Sequence, residues 1–332
     1  MTGVRSHPIH GLFLPVTTPF RANGEIAPER LSEQIRLYSA WPLAGVVLFG
    51  TSGEGPLLDA VEEAPLLAAA RDALPSGWKL IAQIGRESVR ATAGAAERAA
   101  AAGADALLCL PTRYYATDAD IVAAYYRAVG AATSLPILAY HIPSRSKIDL
   151  PMGLLVQLAG EGVLAGIKDS AGDPALQARL RREVGPGFVI LNGKAATTAD
   201  ALAAGADGAI LAVANAAPEA ALAIFEAHAA DDLETAGAAQ RSLLPLAECL
   251  GSRHGVPGTK AALEERGWPG GGPPRAPLAP LGAAARSEIR RALGIALAAV
   301  GAGLPVSSAS EWDQARADER RDRARCPRHL SR

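Results

Sequence analysis

The chain is poor in cysteine and has no long hydrophobic run, and each absence disfavours a class of protein. Its three cysteines, Cys109, Cys249 and Cys326, show no C-x-x-C spacing, and the first two lie in largely apolar segments. This pattern predicts buried thiols in a reducing cytoplasm and disfavours a disulfide framework or a zinc site. The N-terminal segment lacks the apolar stretch of a signal peptide, and other apolar runs are interrupted well before the ~18 residues that a membrane helix needs. We therefore expect neither secretion nor insertion into a membrane.

The chain also lacks an excess of charge of either sign. Its 33 basic and 34 acidic residues give a net charge of -1, while 49% of its 332 residues are hydrophobic. A chain of this length and composition can bury a large core and has no polyelectrolyte character. We therefore expect no nucleic acid partner.

Lysine is scarce among the basic residues. Only five of the 33 are lysine, namely Lys79, Lys147, Lys168, Lys194 and Lys260. Arginine cannot lose its proton to become a nucleophile, whereas lysine can, so the position of each lysine is informative. We expect most of the five to be ordinary surface lysines.

Short apolar runs of strand length recur eight times along the chain. They begin at Gly11, Gly45, Lys79, Asp105, Pro136, Val163, Phe188 and Gly208. Their spacing leaves room each time for a turn, an Ala-rich helix and another turn. Eight apolar strands alternating with helices predict an α/β protein with a closed (β/α)8 TIM barrel. The alternative, an open doubly wound sheet, needs a glycine fingerprint at the start of the first helix, and the segment after the first run has none.

The rest of the chain is predicted to extend this barrel. We assign residues 8–230 to the barrel and residues 231–300 to a C-terminal helical bundle, interrupted by a rigid Pro- and Gly-rich connector from Pro269 to Pro280. Residues 301–332 are predicted to be a disordered tail, because the last part of the chain is rich in arginine and acids and has almost no apolar content.

Lys168 occupies the position where this fold places its chemistry, at the C-terminal end of a barrel strand. It closes the run VLAGIK, and strand alternation puts it on the same face as Gly166, which is expected to leave room around it. Burial inside the barrel favours a neutral amine that can attack a carbonyl carbon. An ion pair with Asp169 is an equally good interpretation at this point. Lys194 follows the seventh run in a loop, where a substrate or surface contact suits it better.

Other polar residues follow other strands. Thr51 and Ser52, in the turn GTSGEGP, could help to bind an anion, although a helix cap is the commoner explanation. Tyr115 and Tyr140 lie at strand ends, where a hydroxyl can relay protons or a ring can simply cap the core. Arg145 could hold a carboxylate in a bidentate pair.

Taken together, the segments GTSGEG, TRYY, YHIPSR, GIKDS and NGK, in this order within roughly residues 8–300, resemble the dihydrodipicolinate synthase and N-acetylneuraminate lyase superfamily of pyruvate-dependent aldolases. The resemblance implies that Lys168 condenses with the ketone of a 2-oxo acid, typically pyruvate, to give an imine. It implies that Tyr140 shuttles protons to that centre and that Thr51 links Tyr140 onward.

The resemblance also implies a binding site and an assembly. Thr51 and Ser52 correspond to the pair that holds the pyruvate carboxylate, and Gly193 and Ile210 line the same pocket. Tyr115 matches the tyrosine that reaches into a neighbouring subunit, which implies a homodimer or homotetramer. The implied partners are small molecules, a 2-oxo acid and an aldehyde, without a cofactor. The six histidines form no convincing ligand cluster, which disfavours a metal-dependent aldolase.

The second substrate divides the possible functions. Arg145 is similar to the arginine of the synthase branch, where it binds the carboxylate of aspartate semialdehyde. The segment KDSAGD, in contrast, resembles the aldolases for 4-hydroxy-2-oxoglutarate and 2-oxo-3-deoxy sugar acids. His141 also departs from the synthase pattern, because it replaces a common asparagine. The leading hypothesis is a lyase similar to 4-hydroxy-tetrahydrodipicolinate synthase, and the alternative is a catabolic aldolase. A non-catalytic regulatory barrel is a third hypothesis, which a lysine inside the barrel does not favour.

Overall fold

The structure, a computed structural model, describes residues 9–115 and 118–303. Eight parallel strands close into a barrel, each paired with its neighbour in the chain and the first with the last. They are β1 (Gly11–Pro15), β2 (Gly45–Leu48), β3 (Lys79–Gln83), β4 (Ala106–Cys109), β5 (Ile137–His141), β6 (Gly166–Asp169), β7 (Val189–Asn192) and β8 (Gly208–Ile210). The predicted (β/α)8 barrel is therefore confirmed, and the open doubly wound sheet is excluded because β1 pairs with β8.

Helices surround the barrel and continue beyond it. They are α1 (Pro28–Tyr38), α2 (Ala60–Ala73), α3 (Val89–Ala101), α4 (Ala119–Gly130), α5 (Pro143–Ser146), α6 (Met152–Gly160), α7 (Pro174–Val184), α8 (Thr198–Ala203), α9 (Pro218–Ala229), α10 (Leu233–Glu248), α11 (Gly255–Glu265) and α12 (Ala283–Ala298). Local sequence sets their ends. Ser88 caps α3 by accepting a hydrogen bond from the Ala91 N–H, and the chain leaves that helix at Gly103, whose φ of 76° favours glycine.

The hydrophobic residues form two layers. The smaller layer fills the barrel interior with side chains from the strands, including Phe13, Val47, Ile81, Leu138, Tyr140 and Ile210. The larger layer lies between the sheet and the helices, and residues of α10 and α12, such as Leu243 and Leu293, belong to it. The C-terminal helices therefore share a core with the barrel, and the boundary at residue 230 stays a prediction. The predicted tail lies outside the described residues from residue 304 onward.

The cysteines follow the prediction as far as they are described. Cys109 and Cys249 are free and buried, and burial raises the pKa of the Cys109 thiol to about 12. Cys326 lies outside the described residues. No helix of the described chain is long and apolar enough to cross a membrane.

Candidate active site

Lys168 lies on the inner face of the barrel, near the C-terminal end of β6. In the register of the sheet it pairs with Tyr140 of β5 and Leu191 of β7, both of which belong to the interior layer. Only 5% of Lys168 is exposed. The position predicted from strand alternation therefore holds, and little water reaches the amine.

Gly166 does not leave the room around Lys168 that the sequence suggested. A Cβ built at Gly166 would lie 2.5 Å from the Val189 carbonyl oxygen and 2.8 Å from Leu138 Cδ2. Glycine is present because residues of the neighbouring strands already fill this layer of the barrel, so the space next to Lys168 on this side is packed. The expectation of free space was wrong because strand alternation says nothing about the size of the residues on adjacent strands.

Tyr140 joins Lys168 to the turn that follows β2. Its ring centroid lies 4.4 Å from Lys168 Nζ, and its hydroxyl lies 3.2 Å from Thr51 Oγ1. Burial raises the pKa of Tyr140, but the positive charge of Lys168 and the hydrogen bond with Thr51 outweigh burial, so the net pKa is lowered. With these contacts, Tyr140 does more than cap the core with its ring, which was the alternative interpretation.

Asp169 does not pair with Lys168. Its carboxylate lies on the other side of β6, where it contacts His141 Nδ1 at 2.9 Å and accepts a hydrogen bond from Gln177 Nε2 at 2.9 Å. Among the described residues, Lys168 forms no ion pair with a carboxylate. The ion-pair interpretation of the KD sequence is therefore wrong, because alternation turns the two side chains to opposite faces.

The turn that carries Thr51 is tightly wound and firmly anchored. Phe49 and Glu54 have φ angles of 60° and 55°, in the left-handed region, and a Cβ at Gly55 would lie only 1.8 Å from the Phe49 carbonyl oxygen. Such strained backbone persists only where the surrounding structure fixes it. Ser52, which is buried, follows Thr51 within this turn.

Lys260 anchors the turn from the far end of the chain. Most of the five lysines were expected to be ordinary surface residues, yet only 1% of Lys260 is exposed, and its Nζ lies 2.7 Å from Glu54 Oε1 and 4.5 Å from the Phe20 ring centroid. Burial lowers the pKa of Lys260, although the charge of Glu54 opposes this shift. The Arg275 backbone N–H donates to Glu54 Oε2 at 2.7 Å. The expectation failed because Glu54 is more than 200 residues away in sequence.

The remaining candidates take different positions. The Gly193 N–H donates to the Asp169 carbonyl at 2.7 Å, and a Cβ at Gly193 would lie 2.1 Å from Ser170 Oγ. Ile210 is buried in the interior layer, whereas Arg145 is exposed on the short helix α5. Lys194 is also exposed, as its loop position predicted.

Tyr115 is not brought to this site by its own chain. It is 75% exposed, and its ring packs edge to face against Tyr114, which is 80% exposed, with centroids 5.2 Å apart. Two neighbouring exposed tyrosines are typical of a surface that meets another protein.

A cavity of about 200 Å³ opens beside Tyr140 and Thr51. Its wall includes three charged residues that the sequence did not single out, Arg86, Glu87 and Arg113. Glu87 fixes the segment after β4, because its carboxylate accepts hydrogen bonds from the backbone N–H groups of Arg113 at 2.9 Å and Tyr114 at 3.0 Å. The segment QIGRE at the end of β3 was the available signal. The described residues contain no group of three or more potential metal ligands.

A closed (β/α)8 barrel with a buried lysine, a tyrosine and a threonine at the C-terminal ends of its strands has the architecture of a TIM-barrel enzyme. The chain belongs to the dihydrodipicolinate synthetase family, whose model matches residues 8–296. Family membership identifies the protein as a lyase of the dihydrodipicolinate synthase type.

Individual relatives agree with the family assignment. The chain is 35% identical over 271 residues to an uncharacterized DapA-like lyase of Halobacterium salinarum, covering 81% of this chain and 88% of the relative. It is 31% identical over 284 residues to the 4-hydroxy-tetrahydrodipicolinate synthase of Acidiphilium cryptum, covering 86% and 97%. The crystal structure of a putative dihydrodipicolinate synthetase from Pseudomonas aeruginosa is similar with a TM-score of 0.82 and 28% identity, covering 87% of this chain and 99% of that one.

Proposed function

We propose that the protein is a Schiff-base-forming lyase in which Lys168 condenses with the ketone of a 2-oxo acid, pyruvate in the first instance. The observation that carries the proposal is the buried Lys168 amine 4.4 Å from the Tyr140 ring, with the Tyr140 hydroxyl 3.2 Å from Thr51 Oγ1. A shielded amine beside a group that can exchange protons is what imine formation requires.

Tyr140 and Thr51 lie where they can carry the protons that imine formation requires. Once Lys168 has released its proton to solvent, its neutral amine adds to the ketone carbon as the C=O π bond breaks. Tyr140 carries a proton from the nitrogen to the oxygen and then protonates the resulting hydroxyl, which leaves as water and gives the iminium ion. The lowered pKa of Tyr140 suits its hydroxyl to give a proton and take it back, and Thr51 provides the next acceptor or donor. Tyr140, left deprotonated by the loss of water, takes a proton from the adjacent carbon to give an enamine. The enamine carbon then attacks the aldehyde carbon, and Tyr140 returns the proton to the aldehyde oxygen. Hydrolysis of the new iminium releases the product and restores Lys168.

The favoured second substrate is an aldehyde that carries a carboxylate, as in a 4-hydroxy-tetrahydrodipicolinate synthase. The support is the exposed Arg145 on α5, next to the end of β5, together with relatives that bear that name. Gly193 and Ile210 would shape the 2-oxo acid pocket, with Ser52 and Thr51 holding its carboxylate. The free buried thiols fit a cytoplasmic enzyme.

A catabolic aldolase for 2-oxo-3-deoxy sugar acids or 4-hydroxy-2-oxoglutarate is the second candidate. It is favoured by the KDSAGD segment, in which Asp169 accepts hydrogen bonds from the backbone N–H groups of Ala171 and Asp173 and so shapes the loop after β6. A coupled assay with a panel of aldehydes and 2-oxo acids separates the two candidates. Turnover with sugar acids alone would overturn the synthase proposal.

Borohydride trapping tests the imine itself. We expect incubation with pyruvate and sodium borohydride to add the reduced pyruvyl group to Lys168, detected by peptide mass spectrometry. The exposed Lys194 is an internal control that stays unmodified, and Lys168→Met removes the adduct. An unmodified Lys168 in the wild-type protein would overturn the proposal and leave a non-catalytic barrel as the better interpretation.

A further inference from the structure

His141 and Asp169 form a second cross-strand pair directly beside the proposed reacting pair. Tyr140 pairs with Lys168 in the register of β5 and β6, and His141 pairs with Asp169 one position further along. The first pair faces the interior, whereas the second lies behind the strands, where His141 is only 3% exposed. His141 is thus bonded through the backbone to Tyr140, and Asp169 to Lys168.

Both ring nitrogens of His141 contact carboxylates. Nδ1 lies 2.9 Å from Asp169 Oδ1, and Nε2 lies 2.8 Å from Asp149 Oδ1. A neutral imidazole has one N–H, so one nitrogen would direct its lone pair at an anionic oxygen. A protonated imidazole donates to both carboxylates. The contact geometry therefore selects the charged ring.

Neighbouring residues hold the Asp169 carboxylate in place. Asp169 belongs to β6, and Asp149 belongs to the segment between α5 and α6. From α7, packed behind the pair, the uncharged Gln177 donates to Asp169 at 2.9 Å, and the backbone N–H of Asp173, the residue just before α7, donates at 3.3 Å. Burial lowers the pKa of His141, but the two carboxylates outweigh burial and the net pKa is raised.

We propose that His141 is a positioning residue: its protonated ring ties the end of β5 to the end of β6 and so fixes Tyr140 relative to Lys168. The proposal rests on the Schiff-base function given above. Because the pKa of His141 is raised in the folded protein, the ring is protonated and donates to both carboxylates at lower pH. It loses one of these two hydrogen bonds as pH rises through that pKa. Above that pKa, the enzyme would lose the alignment of Tyr140 with Lys168 while keeping both reacting groups.

The test measures the rate of imine formation with pyruvate as a function of pH in the full chain. His141→Asn keeps a polar side chain but cannot carry charge. We expect the wild-type rate to exceed that of His141→Asn on the order of 10-fold to 100-fold at low pH, as for other small misplacements of reacting groups, and the ratio to fall toward one as pH rises. The affinity for pyruvate should change little, because neither ring nitrogen faces the barrel interior.

Asp149→Asn supplies a second variant that should fold readily, since the Asp149 side chain is 79% exposed. Losing one carboxylate lowers the pKa of His141, so the decline in rate should move to lower pH. Two-dimensional ¹H–¹⁵N spectra of the histidine rings report the same change directly. His254→Asn is the matched control, because His254 also contacts a carboxylate, that of Glu288 at 3.0 Å, but lies at the start of α11. It should leave the pH profile unchanged.

The outcomes separate this proposal from the proposed function. If trapping labels Lys168 but the pH profiles of His141→Asn and Asp149→Asn match that of the wild type, His141 is not a positioning residue and the Schiff-base function stands. If wild-type Lys168 is not labelled at any pH, the proposed function itself fails.

Discussion

At the scale of single residues, the Tyr140 hydroxyl is the atom on which the proposed proton transfers depend. Tyr140→Phe removes that oxygen and leaves the ring against Lys168, so we expect the rate of imine formation to fall on the order of 10²-fold to 10⁴-fold, the usual contribution of a general acid or base. Stability should fall by only about 1 kcal/mol, since one hydrogen bond with Thr51 is lost. Stopped-flow kinetics with pyruvate and urea unfolding measure the two effects.

Thr51→Val is the matched variant for that experiment, because it removes the hydroxyl that Tyr140 contacts while keeping the volume of the side chain. We expect a smaller loss of rate than for Tyr140→Phe. Equal rates in Tyr140→Phe and the wild type would show that another group transfers the proton.

At the scale of structural elements, the anchored turn after β2 depends on a buried ion pair. Breaking such a pair by neutralising one partner leaves an uncompensated buried charge and costs about 3–5 kcal/mol. We therefore expect Glu54→Gln or Lys260→Met alone to lower the free energy of unfolding by about that amount, because both side chains are almost completely buried. Chemical denaturation checks the values.

The double variant Glu54→Gln with Lys260→Met leaves neither charge unpaired, so it should recover part of the stability lost in each single variant. Additive losses would contradict the assignment of a coupled pair. Borohydride trapping on the folded Glu54→Gln and Lys260→Met variants then tests whether the turn also positions Thr51, because a misplaced Thr51 should slow labelling of Lys168.

The elements were predictable from sequence where local pattern decides them. Seven of the eight strands begin within one residue of the predicted position, but β6 begins at Gly166 and not at Val163. The reason is that the backbone N–H groups of Val163 and Leu164 bond back to Leu158 at the end of α6, so these residues close the helix before the sheet begins. Short apolar runs do not show which backbone partner their N–H groups will find.

The site was likewise predictable where local sequence pattern decides the position of a residue. Strand alternation placed Lys168 inside the barrel, and strand ends placed Tyr140 and Thr51 near it. The contacts of His141 with Asp169 and of Lys260 with Glu54 depend on which distant elements meet, and neither residue has a neighbour in sequence that signals its partner. Long-range polar contacts between buried side chains were therefore the part that sequence could not supply.

At the scale of the whole molecule, the exposed Tyr115 gives the proposed oligomer a functional test. If Tyr115 completes the site of a neighbouring subunit in a symmetric dimer contact, each site combines Lys168 of one chain with Tyr115 of the other. Lys168→Met and Tyr115→Phe chains should then each have little activity alone. In a mixed dimer one site has both defects and the other has none. Since half of randomly assembled dimers are mixed, co-refolded chains should regain about a quarter of wild-type activity.

The same experiment with Tyr114→Phe in place of Tyr115→Phe is the control, because Tyr114 is the equally exposed neighbour whose ring touches Tyr115. That variant should be active by itself, so mixing it with Lys168→Met should show simple dilution. Light scattering of each sample establishes that the chains associate. Dimers that form in the Lys168→Met and Tyr115→Phe mixture without regaining activity would contradict the shared site, because association alone would then be insufficient to bring Tyr115 to Lys168.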